Sequence, residues 1–199
     1  MYSVIIPTLW RSPRTLKLIS DLVQCDKVGE VIIIDNNTGA STFNGGGKVK
    51  ILSNGKNNYV NPSWNMGVNA ATYPLIALCN DDINFDANKM FELEPEAGDI
   101  FGVGVLCYEV EREFDYPAVT PTNQRGHGWG CFIMMRKEDY VPIDERLRVS
   151  FGDDWLFKSL PNRYNLNGIR IQTEMSTTSR EAEFIAVAEE DGKVWNSLK

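Results

Sequence analysis

Two stretches of this chain carry adjacent carboxylates in places where chemistry is to be expected. One is LIALCNDDI, residues 75–83; the other is FGDDW, residues 151–155. In the first, an apolar run surfaces directly into Asn80, Asp81 and Asp82. Neighbouring negative charges repel, and neither is welcome beside an apolar interior. A hard divalent cation relieves that conflict, because Mg2+ or Mn2+ accepts one or two carboxylates and completes its shell with water and phosphate oxygens. A nucleoside diphosphate suits such a centre. The structural alternative is that Asp82 caps the segment after the strand. In the second stretch, Gly152 is a turn residue and Asp153-Asp154 opens an apolar segment. A carboxylate at a helix start beside a cleft can take a proton from a substrate hydroxyl. The alternative there is a helix N-terminus that favours negative charge.

These residues must be positioned by elements, and the first half of the chain alternates in type. Residues 2–6 form an apolar, β-branched run ending at Pro7. Ser12-Pro13 reads as a cap followed by proline at the first helical position. Leu16, Ile19, Leu22 and Val23 follow on one helical face. Residues 31–34, 48–52 and 75–79 are further strands, and Asn61-Pro62 starts a second helix that runs to about Ala71. The glycine- and serine-rich segment TGASTFNGGGK is a loop. Strands alternating with helices imply right-handed crossovers and a mainly parallel sheet flanked by helices, an α/β fold. Beyond residue 85 the pattern is less regular. Strands are expected at 100–107, 129–135 and weakly 169–171, an acidic loop at 109–115, and helices near Asp153 and over 180–190.

In open α/β sheets, ligands bind outside the carboxyl ends of the parallel strands. Those ends carry Pro7-Thr8, Asp35-Asn36 and Asn80-Asp81-Asp82. Neither GxGxxG nor GxxxxGK[ST] follows a strand, so the dinucleotide and P-loop fingerprints are missing.

The whole chain bounds the answer. It has 199 residues, 43% hydrophobic and 24% charged, which is globular and enough for one domain with a sizeable core. The formal net charge of −7 argues against a nucleic-acid partner, which needs a basic face. No apolar run reaches the ~18 residues of a transmembrane segment, and no leader is visible, so a cytoplasmic location is expected. Four scattered cysteines and a single histidine read as buried free thiols and argue against zinc.

The motifs SVIIPT, VIIIDNN, NPSWNMGVNAA, LIALCNDDI, GWGCFIMMRKE and PIDERL…FGDDW occur in an order that resembles a family 2 glycosyltransferase of the GT-A fold, over roughly residues 2–160. The resemblance implies a single GT-A domain over 1–199, with a nucleotide-binding half about 1–85 and an acceptor and catalytic half about 86–199. It implies an inverting transfer from a nucleotide-diphosphate sugar, UDP-linked by preference, to a hydroxyl of a glycan or other acceptor, assisted by Mn2+ or Mg2+. By the same resemblance Asp35 contacts the base, while Pro7, Thr8, Asn65, Asn80 and Asp81 face the nucleotide-sugar. Asp82 is then the metal ligand, and Asp154, with Asp153 second, the base.

The chain departs from the family in two places. Trp64-Asn65 stands where many relatives have Arg-Asn, and no histidine follows the last core strand, in QTEMSTTSR. Trp129, among Gly126, Gly128 and Gly130, and the lone His127 are candidates for the acceptor side. Trp64 and Trp155 are candidates for stacking on sugar or for core packing. Arg136 and Arg146 are candidates for holding a phosphate, with a surface ion pair as their ordinary fate. At this length other domains or subunits have room to supply part of the acceptor site. Two rivals remain: a nucleotide-sugar or glycan-binding module without catalysis, and a sugar nucleotidyltransferase. The second wants a glycine-rich basic loop where this chain has TLWRSPR.

Overall fold

The computed structural model describes residues 1–38, 45–109, 116–174 and 181–198. Most of the glycine-rich loop (39–44), the bulk of the acidic segment (110–115) and residues 175–180, with the expected helix start at Arg180, lie outside the described residues.

One sheet of eight strands organises the chain, in the order β3-β2-β1-β4-β8-β6-β9-β7. The strands β1 (Tyr2–Thr8), β2 (Val28–Asp35), β3 (Val49–Leu52) and β4 (Leu75–Cys79) pair in parallel. The intervening helices are α1 (Thr15–Gln24) and α2 (Val60–Ala70). The second half adds β6 (Asp99–Val103), β7 (Ala118–Pro121), β8 (Phe132–Arg136) and β9 (Asn162–Asn167). Here β8 runs antiparallel to β4 and β6, β9 runs parallel to β6, and β7 runs antiparallel to β9. In this sheet β7 and β8 thus oppose the common direction, and the expected mainly parallel α/β architecture holds. A two-stranded ribbon joins β5 (Ile83–Asn84) to β10 (Gln172–Thr173).

Alternation along each strand feeds two cores. Val4 and Ile6 of β1, Val31 and Ile33 of β2, and the helix residues Leu18 and Leu22 form one side, closed by the short α3 (Ala87–Met90). Ile5, Ile32 and Ile34 face the other side, against Trp64 of α2 and Leu156 of α5 (Gly152–Ser159). Trp195, on the C-terminal α6 (Ala182–Ser197), completes that layer and stacks on Phe151, with ring centroids 5.3 Å apart and planes 9° from parallel. The short α4 (Leu106–Glu109) takes the end of the run expected as strand at 100–107. All four cysteines are buried, and none of them forms a disulfide among the described residues. No helix among the described residues is long and apolar enough to cross a membrane.

Several expected boundaries move, each for a physical reason. β1 continues through Pro7 to Thr8, beside β2, and Pro7 tolerates a strand position that needs no N–H. α1 starts at Thr15, two residues beyond Pro13, and Ser12 instead accepts from the Arg14 and Thr15 amides. α2 starts at Val60, so Asn61 lies inside its first turn and does not cap it. β7 and β9 escaped the sequence reading because AVTP and NRYNLN lack an apolar β-branched run. Their pairing with β6 and with each other supplies what local propensity lacks.

Glu30, on β2, is a buried carboxylate tied to Lys50 of β3 by an ion pair. It accepts from Ser3 Oγ at 2.6 Å and from the Thr72 amide at 2.6 Å. Burial pushes its carboxyl up, but these bonds outweigh burial and hold it below the ordinary glutamate value. A lowered carboxyl contributes stability that is present above the unfolded-state pKa and is lost as pH falls through the folded-state pKa. Glu30→Gln is therefore expected to lose about 1–2 kcal/mol at neutral pH. The gap to the native chain should shrink on acidification below the carboxylate range, read from urea midpoints at the two pH values.

Candidate active site

The polar ends of β1, β2 and β4 open onto one cleft, a cavity of about 300 Å3. Pro7, Thr8 and Leu9 leave β1 along one wall, Asn36 follows β2, and Asn80, Asp81 and Asp82 follow β4. Opposite stand His127, Gly128 and Gly130 from the segment before β8, and Asp153 from α5. The two acidic stretches, far apart in sequence, therefore face the same space.

Asp81 is held in place by Thr8, whose Oγ1 donates to Asp81 Oδ2 at 2.6 Å, and by Thr15, whose Oγ1 donates to the Asp81 carbonyl at 3.1 Å. Burial, reinforced by the neighbouring Asp82 charge, pushes the Asp81 carboxyl up to about 6 against the pull of the Thr8 bond. Burial also pushes the Cys131 thiol up to about 11, and Asp82 adds to it. The same two causes act on the Cys79 thiol, where Asp81 contributes as well. Carboxylates that raise every acid around them create a negative field, and a cation relieves it. The described residues contain no group of three or more His, Cys, Asp or Glu able to hold a metal ion. A divalent ion fits here only as a partner of one or two carboxylates, with a diphosphate and water completing its shell.

The second acidic pair is built differently. Arg125 forms a fork on Asp154, Nε to Oδ1 at 3.0 Å and Nη2 to Oδ2 at 2.9 Å. Its Nη1 reaches Asp153 Oδ2 at 2.7 Å. Asp153 lines the cleft and Asp154 does not. Burial pushes the Asp153 carboxyl up, and the Arg125 guanidinium pulls it back. Arg125 thus holds both carboxylates, one bond to Asp153 and two to Asp154, and of the two only Asp153 also lines the cavity.

Two distant elements fix the loop that delivers Asp153. Asn61 of α2 donates through Nδ2 to the Leu147 and Ser150 carbonyls at 3.1 and 2.9 Å, and its amide donates to the Arg148 carbonyl at 3.0 Å. Asp191 of α6, fully buried, accepts from the amides of Arg148, Val149 and Ser150 at 3.0, 2.7 and 2.8 Å. Three non-glycine residues adopt left-handed backbone, Trp10 (φ 60), Tyr59 (φ 63) and Phe151 (φ 65), and each sits on or beside this cleft. Such conformations cost on the order of 1–3 kcal/mol and persist where the surroundings over-determine them.

Other expected residues fall elsewhere. Asn65 turns away from the cleft: its Nδ2 donates to the Ile143 carbonyl at 2.8 Å, and its Oδ1 accepts from Tyr140 Oη at 2.7 Å and the Ile143 amide at 3.0 Å. It pins a loop, and it does not line the cleft. Trp129 is fully buried, edge-on to Phe157 and against Gly102, where an added Cβ would meet its ring at 2.1 Å. It packs the core and presents no face to an acceptor. Asp35 is 1% exposed and does not line the cavity; its Oδ1 accepts from Trp10 Nε1 at 3.0 Å and from the Asn37 amide at 2.9 Å. Arg136 and Arg146 pair with Glu138 and Asp144.

Sequence reasoning missed Arg125 and Asn61 as shapers of the site, while Asn36, named as a polar strand end, does line it. Asn36 accepts from the Asn58 amide and donates to Ser63, which joins β2 to the start of α2. The asparagine-rich NGKNNYVN was the visible signal for that turn; nothing local marked Arg125. Asn61 and Trp64 both line the cleft, and Asn61 Oδ1 and Trp64 Nε1 are buried without a hydrogen-bond partner among the described residues. One lacks a donor and the other an acceptor, and a ligand hydroxyl can be both.

The family model for Glycosyl transferase family 2 matches residues 3–107, which hold β1 to β6 and the NDD segment. The chain belongs to glycosyl transferase family 2. No curated relative matches the sequence. Among solved structures, S. aureus TarS 1-349 in complex with UDP-GlcNAc is similar at a TM-score of 0.59 and 15% identity, over 94% of this chain and 64% of that one. GalNAc-T7 with UDP, GalNAc and Mn2+ is similar at 0.66 and 9%, over 95% of this chain and 48% of that one. A nucleotidyl transferase from Methanothermobacter thermautotroptrophicus is similar at 0.53 and 13%, over 83% of this chain and 86% of that one. At these identities the likeness concerns the fold, which is that of the GT-A glycosyltransferases. This family 2 chain spans only part of the length of TarS and GalNAc-T7.

Gly152 opens α5 directly against Asn61, where an added Cβ would meet Oδ1 at 2.0 Å. Gly152→Ala is expected to cost about 1–3 kcal/mol by overpacking. Combined with Asn61→Ala, it should cost less than the sum of the two single changes, read as a double-mutant cycle in urea.

Proposed function

We propose that this family 2 chain transfers a sugar from a nucleotide-diphosphate donor, with a UDP-sugar favoured, to a hydroxyl of a glycan or other acceptor, with inversion. One observation carries the reading: the NDD carboxylates and Asp153 converge on a single cleft at the carboxyl ends of the parallel strands. The UDP-GlcNAc complex of TarS and the UDP and Mn2+ complex of GalNAc-T7 support the choice of donor by likeness of fold.

In this mechanism Asp153 accepts the proton of the acceptor hydroxyl. The hydroxyl oxygen bonds to the anomeric carbon from the face opposite the diphosphate, and the bond from that carbon to the phosphate oxygen breaks. Asp82, with Asp81 second, would hold Mn2+ or Mg2+, which supplies charge stabilisation for the leaving diphosphate. Thr8 orients Asp81 through the 2.6 Å bond. Arg125 occupies both oxygens of Asp154 and one oxygen of Asp153, and Asp153 is the member of the pair that lines the cleft. Base contact by Asp35 requires Trp10 to release Oδ1 or the base to use the other oxygen.

The likeness to a nucleotidyl transferase favours a second reading, in which a sugar phosphate and a nucleoside triphosphate are joined. Pyrophosphate release from UTP and a sugar 1-phosphate distinguishes that reaction from UDP release out of a UDP-sugar.

Asp153→Asn is expected to lower turnover by about 10²- to 10⁴-fold while leaving UDP binding intact. Asp154→Asn should cost less, and the reverse order would return the base to Asp154. Arg125→Gln removes the cation that favours the Asp153 carboxylate, so the acid limb of the rate profile should move to higher pH. UDP with Mn2+ should raise the thermal midpoint of the native chain by mass action. Asp82→Ala should abolish that rise.

A further inference from the structure

A second cavity, of about 640 Å3, lies beside the cleft and shares His127 with it. Its wall holds Arg14 before α1, Arg170 before β10, Tyr108 and Gln172. In a chain of net charge −7, most arginines among the described residues are held by carboxylates. Arg11, Arg125, Arg136, Arg146 and Arg148 each pair with a carboxylate. Arg170 is exposed and makes no ion pair or side-chain hydrogen bond among the described residues. Arg14 gives Nη1 to Asn84 Oδ1 at 3.1 Å, and its Nη2 lies 3.8 Å from the half-exposed Glu174. Its Nε is buried with no hydrogen-bond partner among the described residues.

A buried guanidinium donor without an acceptor is an uncommon and costly arrangement. The Arg14 side chain as a whole is 27% exposed, and its remaining Nη donors are the ones an oxyanion in the cavity can take. Arginine is the side chain best suited to phosphate and carboxylate, because its planar fork places parallel donors on two oxygens. Two arginines in one wall, one with an unused donor and one with no partner among the described residues, therefore describe a receptor for an anion. Its position adds a constraint. His127 stands in the walls of both cavities, so a molecule that offers a hydroxyl to Asp153 can extend past His127 into the second space.

We infer that the cavity between Arg14 and Arg170 is an acceptor subsite that binds an oxyanion, a phosphate or carboxylate carried by the sugar acceptor. Its assignment to the acceptor rests on the transferase reading; the oxyanion site itself does not. The acceptor class becomes an anionic glycan, and neutral sugars become poor substrates.

The single histidine of the chain is a built-in reporter. Its imidazole NMR signal is followed at one fixed pH while the native chain is titrated with inorganic phosphate, glucuronate or glucose, with and without saturating UDP and Mg2+. A saturable response to phosphate or glucuronate, but not to glucose, that persists with UDP bound is expected. Arg170→Gln should weaken it by roughly tenfold, the loss of a charge-assisted contact. The same variant should bind UDP as the native chain does, because Arg170 is not in the cleft. A phosphate response displaced by UDP would assign the anion to the donor's diphosphate site and overturn the inference. So would unchanged affinity in Arg170→Gln, or no response to either anion. Phosphate binding that survives where UDP does not bind at all would uphold the oxyanion site and sink the transferase reading instead.

Discussion

The buried carboxylate of Asp191 is the interaction on which the rest of the site depends. It lies on the C-terminal helix, far from the cleft in sequence, and accepts three consecutive backbone amides, those of Arg148, Val149 and Ser150. From the opposite side, Asn61 takes the carbonyls of the same loop. A loop with its donors and acceptors both satisfied cannot drift without exposing several buried polar groups at once. Phe151, strained and stacked on Trp195, and then Gly152 and Asp153 follow directly from it. The candidate base is thus aimed by a helix that touches neither donor nor acceptor in the proposed mechanism.

The two acidic pairs show two answers to one electrostatic problem. At Asp153 and Asp154 the chain supplies its own cation, a guanidinium bound to both carboxylates, of which Asp153 also lines the cavity. At Asp81 and Asp82 burial and mutual repulsion are left standing, and the thiols of Cys79 and Cys131 register the same field. The difference agrees with the separate roles proposed for the two pairs, proton acceptance at the first and metal–diphosphate binding at the second.

Much of the first half was legible because its signals are local. Continuous apolar runs ending in Thr8, Asp35 and Asn80 mark buried parallel strands, and their polar ends mark the crevice. The second half was harder. β9 is asparagine-rich and is a strand only through its neighbours, and β7 carries a proline at a sheet edge. Trp129 shows the limit of composition: three flanking glycines suggested an open surface, yet the ring fills the space beside Gly102 in the core. Asn61 shows another. Asparagine before proline reads as a cap, but its side chain serves a loop more than eighty residues away.

The sequence alone determined the α/β alternation, the position of the acidic motifs at strand and helix ends, and the family, because each depends on residue types at short spacing. Only the tertiary structure decided which carboxylate lines the cleft, that Arg125 bridges the pair, and that Arg14 and Arg170 share a wall. Those outcomes depend on contacts between segments tens of residues apart. Such contacts are selected by packing and by the need to satisfy buried polar groups, and neither leaves a periodic or compositional mark on the chain.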